Sequence, residues 1–258
     1  MKILLIGDIY SANGRMMIEK HLPKLREKYK LNFIIANGEN IAHGNGITEK
    51  YYKFLLDQGV NVVTMGNHTY GNNEIFKFID DANNLIRPLN LPIGNPGKGY
   101  VTIKYNQTTI TVFQVMGRTF MNGPIDCPFM ATEKLLKEVK SDIYICDIHA
   151  EATSEKIAYG IEFDGRVNIM VGTHTHVQTN DARILKNGSM YMTDLGMTGA
   201  LEGIIGEEPA SIIKKFKTGL AFKHNPMETG LNQFCGLIVD IDEKNKKVNN
   251  YEIVKIVD

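Results

Sequence analysis

Five short apolar runs in this chain each end in side chains that can donate oxygen or nitrogen lone pairs, and this recurrence narrows the possible folds more than any other feature. KILLIG (2–7) is followed by Asp8, and FIIAN (33–37) leads through Gly38 to Glu39 and Asn40. VNVVTM (60–65) leads through Gly66 to Asn67 and His68. DIYICDI (142–148) ends at His149, and NIMVG (168–172) leads through Thr173 to His174 and His176. Runs this short, bounded by glycine and polar residues, read as buried strands. Between the first three lie helical stretches. One spans 14–29, marked on one side by Met17, Ile18, His21, Leu22 and Leu25; the other runs to residue 58, with Thr48 as its N-cap and Gly59 ending it. Alternating strands and helices predict right-handed βαβ units and a parallel sheet. Ligands gather at the carboxyl ends of such strands, where the five polar tips fall.

The rest of the chain adds elements without breaking that frame. A short helix is predicted near 73–79, and helices at 132–139, 154–163 and 209–216, with a strand at 190–193. Strands 100–105 and 108–115 flank Asn106-Gln107 as a hairpin, and 236–241 pairs with 248–257 across the polar turn 242–247. The Gly/Pro-rich stretch 88–99 is the one candidate seam. Strands on both sides of it supply similar polar tips, so one domain over 1–258 is expected.

Composition excludes some functions. Lys+Arg and Asp+Glu both number 29, which gives no support to a surface built to coat nucleic acid, although a small nucleotide substrate remains open. No apolar run approaches the ~20 residues of a membrane span. The apolar start, Ile3 to Ile6, is too short for a signal-peptide core. Cys127, Cys146 and Cys235 are odd in number and lack CxxC spacing, so they read as reduced thiols. The expected location is cytoplasmic, with no membrane partner.

Taken singly, each tip has an ordinary explanation. Asp8 could cap a turn, Glu39-Asn40 could be a polar loop, and Asn67 suits a left-handed turn position. His68 could sit on the surface, and His149 could be a core imidazole bonded to backbone. In an extended segment residues two apart face one side, so His174 and His176 can reach one centre. Together, four of the seven histidines fall at three strand tips, and one metal centre accounts for all of them. No cysteine takes part, which argues against thiolate zinc and iron–sulfur sites. Carboxylate, imidazole and amide donors suit manganese, iron or zinc. They are too many for one four-coordinate ion, and a carboxylate can bridge two. Two ions ~3.5–4 Å apart would hold a phosphoryl group and generate hydroxide between them.

Seven segments then carry a resemblance: GDI at 7–9, NGEN at 37–40, AHGNGI at 42–47, GNHTY at 66–70, DIHAEATSEK at 147–156, VGTHTHVQT at 171–179 and TDLGMTG at 193–199. They resemble the calcineurin-like metallophosphoesterases, and within them the YmdB-like bacterial family, in family order over most of the chain. The resemblance implies a four-layer α/β/β/α sandwich with mixed sheets and a C-terminal hairpin. It implies one ion held by Asp8, Glu39, Asn40 and His176, and a second by Glu39, Asn67, His149 and His174, with Glu39 bridging. Iron or manganese is implied first, zinc or magnesium as alternatives. Tyr10 stands where the wider superfamily has a histidine ligand, and Asn40 is its natural replacement. Tyr10-Ser11 and Gly71 also depart from the usual family text. His68 becomes the implied general acid, since an imidazole of unperturbed pKa ~6.5 can protonate a departing alkoxide near neutral pH.

The implied substrates are 2′,3′-cyclic or 3′,5′-cyclic nucleotides, and the implied assembly is a homo-oligomer. Tyr70, Arg118 and the loop 198–206 are candidate substrate contacts by placement or resemblance. The same centre would serve a phosphomonoesterase of metabolites or proteins. A metal- or nucleotide-binding regulator, or a scaffold whose histidines are satisfied by backbone, are the non-catalytic readings.

Overall fold

In the computed structural model, which describes residues 1–221 and 223–258, the chain begins with β1 (Lys2–Ile6), β2 (Asp8–Ile9) and α1 (Ser11–Tyr29). It continues through β3 (Phe33–Asn37), α2 (Glu49–Asp57), β4 (Val62–Thr64), a 3-10 turn (Asn73–Lys77) and β5 (Leu85–Ile86). Next come β6 (Tyr100–Tyr105), β7 (Thr108–Met116), α3 (Pro128–Glu138), β8 (Ile143–His149), α4 (Thr153–Glu162) and β9 (Ile169–Thr173). The last elements are β10 (Arg183–Ile184), β11 (Met190–Met192), β12 (Met197–Ala200), α5 (Pro209–Thr218), β13 (Asn232–Ile241) and β14 (Val248–Val257).

Alternation within the strands sets the layers. Side chains two apart share a face, so a strand apolar at every position is covered on both sides. Ile3 and Leu5 of β1 face Val112, Ile145 and Val171 of the second sheet, in a core between the sheets. Leu4 and Ile6 point the other way, onto Met17, Ile18 and Leu22 of α1 and Leu55 of α2. On the far side Phe113, Cys146 and Met170 pack against Leu135 of α3 and Tyr159 of α4. The order is α/β/β/α, as the resemblance implied.

Both sheets are mixed rather than parallel. In the first, β1, β3, β4 and β5 run parallel, while β13 lies antiparallel on β1 and carries β14. In the second, β7, β8, β9 and β11 are parallel and are closed by antiparallel β6 and β10. The stretch 88–99 carries the chain from β5 in one sheet to β6 in the other.

Helix α1 starts at Ser11, earlier than expected. Gly14 lies inside it, where a Cβ would meet the Thr198 carbonyl oxygen at 2.5 Å, so this glycine permits close packing rather than starting the helix. Helix α3 starts at Pro128, whose missing N–H is harmless in a first turn. Among the described residues no helix is long and apolar enough to cross a membrane.

Candidate metal centre

Each polar tip is placed by the backbone that ends its strand. Asp8 N donates to Gly196 O at 3.0 Å, and a Cβ on Gly7 would lie 1.9 Å from that oxygen, so only glycine allows β1 to pass β12 this closely. Glu39 N donates to Asn37 Oδ1 at 3.1 Å, forming a tight turn after β3. His149 is the last residue of β8. His174 and His176 follow β9 with φ of 98° and 64°, the left-handed region that non-glycine residues rarely occupy. The two imidazoles therefore converge through a coiled turn, not through the strand alternation expected from HxH spacing.

The seven donor side chains meet in two groups. In one, Asn40 Nδ2 lies 3.2 Å from His176 Nε2 and 3.5 Å from Asp8 Oδ1, and His176 Nε2 is 3.7 Å from Asp8 Oδ1. In the other, His149 Nε2 lies 2.8 Å from Asn67 Oδ1 and 3.1 Å from His174 Nδ1. Glu39 Oε1 touches both groups, at 3.2 Å from Asn40 Nδ2 and 3.2 Å from His149 Nε2. The Glu39, His149 and His174 ligand atoms lie within 4.8 Å of one another.

The outward nitrogens of the three imidazoles are all engaged by oxygen. His149 Nδ1 donates to Thr173 Oγ1 (2.8 Å), whose own hydroxyl donates to Asp147 Oδ1 (2.7 Å). His174 Nε2 faces Glu151 Oε2 at 3.2 Å, and His176 Nδ1 donates to Ile205 O at 3.1 Å. With these outward contacts, His149 Nε2, His174 Nδ1 and His176 Nε2 are the ring nitrogens left facing inward, the arrangement that orients metal-bound histidines. Asp147 is fixed in turn by Thr64 (2.6 Å) and Asn37 (3.2 Å). Behind the His174–His176 turn lies a fully buried ion pair. Lys156 Nζ bonds Asp194 Oδ2 (2.8 Å) and Thr173 O (2.7 Å), and the same carboxylate oxygen accepts from Thr175 N (3.1 Å) and Thr175 Oγ1 (2.8 Å).

Charge in this cluster is unbalanced. Asp8 and Glu39 are both buried, and among the described residues no Lys or Arg side chain pairs with either. Burial pushes the Asp8 carboxyl up to about 6, against the lowering influence of His176 and His149. Burial would also raise Glu39, but the charge and hydrogen bond of His149, with His68 beyond, hold it well below the usual carboxylate range. His149, which burial alone would lower, is pushed up to about 9 by Glu39. Burial, then the charge of His149, pushes His174 down to about 3. A proton on His149 thus occupies the position between Glu39, Asn67 and His174 that a cation would take. Buried carboxylates of this kind need positive charge or protonation, and the donor set fits divalent cations.

His68 sits on the rim. Its backbone N donates to Glu39 Oε2 (3.1 Å), and its Nδ1 lies 2.8 Å from Asn40 Oδ1. Burial lowers its pKa, with Glu39 opposing. Both donor groups open onto a cavity of about 440 Å³ whose other wall includes Ile204, Ile205, Ile212 and Phe216. Of the candidate contacts, the 198–206 loop supplies part of this wall. Tyr70 lines a neighbouring cleft instead, with its hydroxyl on Pro96 O (2.7 Å) and its ring stacked on Phe76. Arg118 is exposed outside the cavity lining, its backbone N held by Glu155 at 3.0 Å.

A family model described as YmdB-like protein matches residues 4–254. The chain belongs to the YmdB-like protein family. It is 49% identical to a Bacillus subtilis (strain 168) protein named 2′,3′-cyclic-nucleotide 2′-phosphodiesterase, over 100% of this chain and 98% of that one. The crystal structure of a hypothetical protein from Thermus thermophilus superposes with a TM-score of 0.94 at 37% identity, covering 100% of this chain and 99% of that chain. That of a novel phosphatase from Mycoplasma pneumoniae also gives 0.94, at 35% identity, covering 100% and 93%. This YmdB-like chain is a phosphoric ester hydrolase.

Two departures from the usual YmdB-like text have structural reasons. Tyr10 is engaged in contacts of its own. Its hydroxyl bonds Glu207, and its ring packs edge-on to His176 with centroids 5.7 Å apart. Gly71 is where Asn45 comes closest, since a Cβ there would lie 1.9 Å from Asn45 Oδ1. The sequence reading missed Asp147, Lys156, Asp194, Glu151 and Glu207. Four of them lie inside the segments 147–156 and 193–199 that carry the family resemblance, but nothing local in the sequence separates a buried charged group from an exposed one.

Proposed function

We propose that this chain hydrolyses cyclic nucleotides, 2′,3′-cyclic before 3′,5′-cyclic, at a centre of two divalent cations. The observation that carries the reading is the set of three imidazoles whose inner nitrogens face two buried carboxylates. Asp8, Glu39, Asn40 and His176 would hold one ion, and Glu39, Asn67, His149 and His174 the other. Oxygen and nitrogen donors of this kind suit iron or manganese, with zinc or magnesium as alternatives. When bound, such ions stabilise charge on phosphoryl oxygens and lower the pKa of water.

The chain's own part is orientation and proton delivery. Asn40 occupies His68 Nδ1 and Glu39 fixes the His68 backbone, so Nε2 is the nitrogen left to protonate a leaving oxygen. Water adds to phosphorus and loses one proton to solvent, the P–O2′ bond breaks, and His68 supplies the proton to O2′ and is reprotonated from solvent, giving a nucleoside 3′-phosphate. The anionic phosphodiester beside His68 adds to the Glu39 effect and favours the protonated ring. The similarity to a Bacillus subtilis 2′,3′-cyclic-nucleotide 2′-phosphodiesterase supports this choice of bond. A phosphomonoesterase reading stands second, favoured by the likeness to a Mycoplasma pneumoniae phosphatase. Rates on a mono- and a diester of one leaving group decide between them.

The direct test is elemental analysis of the purified protein alongside assays on adenosine 2′,3′-cyclic phosphate with Mn²⁺ or Fe²⁺. About two cations per chain and turnover that chelation abolishes are expected. Substoichiometric metal, or turnover indifferent to chelation, would overturn the mechanism. Chelation is also expected to lower Tm, because ligands that bind only the folded state stabilise it. A second expectation concerns Gly66. A Cβ there would fall 2.2 Å from Glu39 Oε2 and 2.5 Å from His149 Nε2. Gly66→Ala therefore displaces the shared carboxylate, and elemental analysis is expected to find less metal than in wild type. Wild-type stoichiometry in that variant would contradict the placement of Glu39 between the ions.

A further inference from the structure

The cavity beside the donors has a second wall for which phosphoryl chemistry has no use. Ile205 precedes α5, and Ile212 and Phe216 stand four residues apart on it, on one face of the helix. All three line the same space as Glu39, His68 and His176. Ile212 is buried, whereas Ile205 is 51% and Phe216 80% exposed. A large aromatic side chain left in water at a cavity mouth is apolar surface that a ligand can cover.

This wall is tied to the donor side. Glu207, itself buried, accepts from the hydroxyl of Tyr10, which follows β2, and from Asn225 N (2.5 Å), and lies 3.1 Å from His224 Nδ1. The Ile205 carbonyl is the acceptor that orients His176. The spacing between donors and wall is therefore set by direct bonds. A cavity of about 440 Å³ lies within the ~300–1,000 Å³ range of small-ligand sites.

We propose that the wall formed by Ile205, Ile212 and Phe216 receives the nucleobase of the substrate, with the Phe216 ring stacking on the base while the phosphodiester lies against the donors. The inference rests on the diesterase reading above and adds what that reading lacks, the part of the site that recognises the nucleoside. These three side chains carry no hydrogen-bonding group. They read the π-face of a base and not its edge, so this wall by itself does not exclude either base class, and purines, with more surface, stack on it more tightly.

The test compares adenosine 2′,3′-cyclic phosphate with methyl riboside 2,3-cyclic phosphate, which keeps the reacting ring and lacks the base. In the manganese-loaded wild type kcat/KM favours the nucleotide. In Phe216→Ala that preference falls about 5- to 150-fold, the range for loss of one base–aromatic stack, and Phe216→Trp restores it. Calorimetric titration with adenosine 3′-phosphate and methyl riboside 3-phosphate gives the same ratio of Kd values without turnover. Equal wild-type values for the two ligands, or a preference untouched in Phe216→Ala, overturn the wall and leave the diesterase intact. If the wild type hydrolyses neither cyclic ester, the diesterase reading falls and the wall falls with it.

Discussion

His68→Gln is expected to lower kcat on a ribose 2′,3′-cyclic phosphodiester by about 10²–10⁴-fold, the usual contribution of a positioned general acid. Glutamine keeps a polar side chain of similar reach, and the backbone N–H at position 68 still bonds Glu39 Oε2. Bound metal and Tm are therefore expected to match the wild type, which separates loss of the proton donor from collapse of the loop. The leaving group gives a sharper criterion. An alkoxide needs a proton as it departs, whereas p-nitrophenolate does not. The loss on a p-nitrophenyl diester is expected to be much smaller than on the ribose ester. Equal losses on both would mean that His68 only braces Asn40, with which its Nδ1 is in contact at 2.8 Å.

Lys156→Met is expected to cost about 3–5 kcal/mol of stability, because it leaves a buried charge without its partner. For a chain of this size that is a fall in Tm of about 6–20 °C. Both side chains of the Lys156–Asp194 pair are fully shielded from solvent. The lysine also holds Thr173 O, and Asp194 holds Thr175, so the pair straps down the strained turn that carries His174 and His176. Metal affinity is expected to fall about 10–100-fold with it, as when outer partners of metal ligands are removed. Lys134→Met is the control. Its carboxylate partner Glu138 lies 4.0 Å away on the exposed face of α3, and such pairs contribute about 0–1 kcal/mol. If thermal denaturation finds the two variants equally stable, the strap has no energetic weight.

How much of this was legible beforehand depended on the kind of signal. Runs such as FIIAN and DIYICDI announce strands because burial on both faces removes polar alternation, and the donors were readable because each falls where such a run stops. Strands β2 and β12 were not readable, since two to four residues of DI or MTGA carry no pattern and exist only because Gly7 lets the backbones meet. The HxH pair was read as extended and proved to be left-handed, because bonds from Asp8 and Asp194 to residues 174 and 175 hold a conformation that local preference disfavours. Tyr10 looked like a lost ligand and is a tether for Glu207. Arg118 was a reasonable phosphate partner by residue type, yet the loop that carries it is turned toward Glu155. Long-range partners of this kind leave no trace in local sequence.

The position of β13 has a consequence for how the molecule is made. It pairs along β1 from Lys2 to Ile6, although more than two hundred residues separate them, and it also borders β12, which holds Asp8. During synthesis β1 must wait for β13, more than two hundred residues later, before its open edge is covered. Contacts of such sequence separation slow folding and leave aggregation-prone edges exposed meanwhile. A chain without β13 would lack the neighbour that completes the floor beneath Asp8, so metal binding at the proposed centre is expected only after that strand has docked.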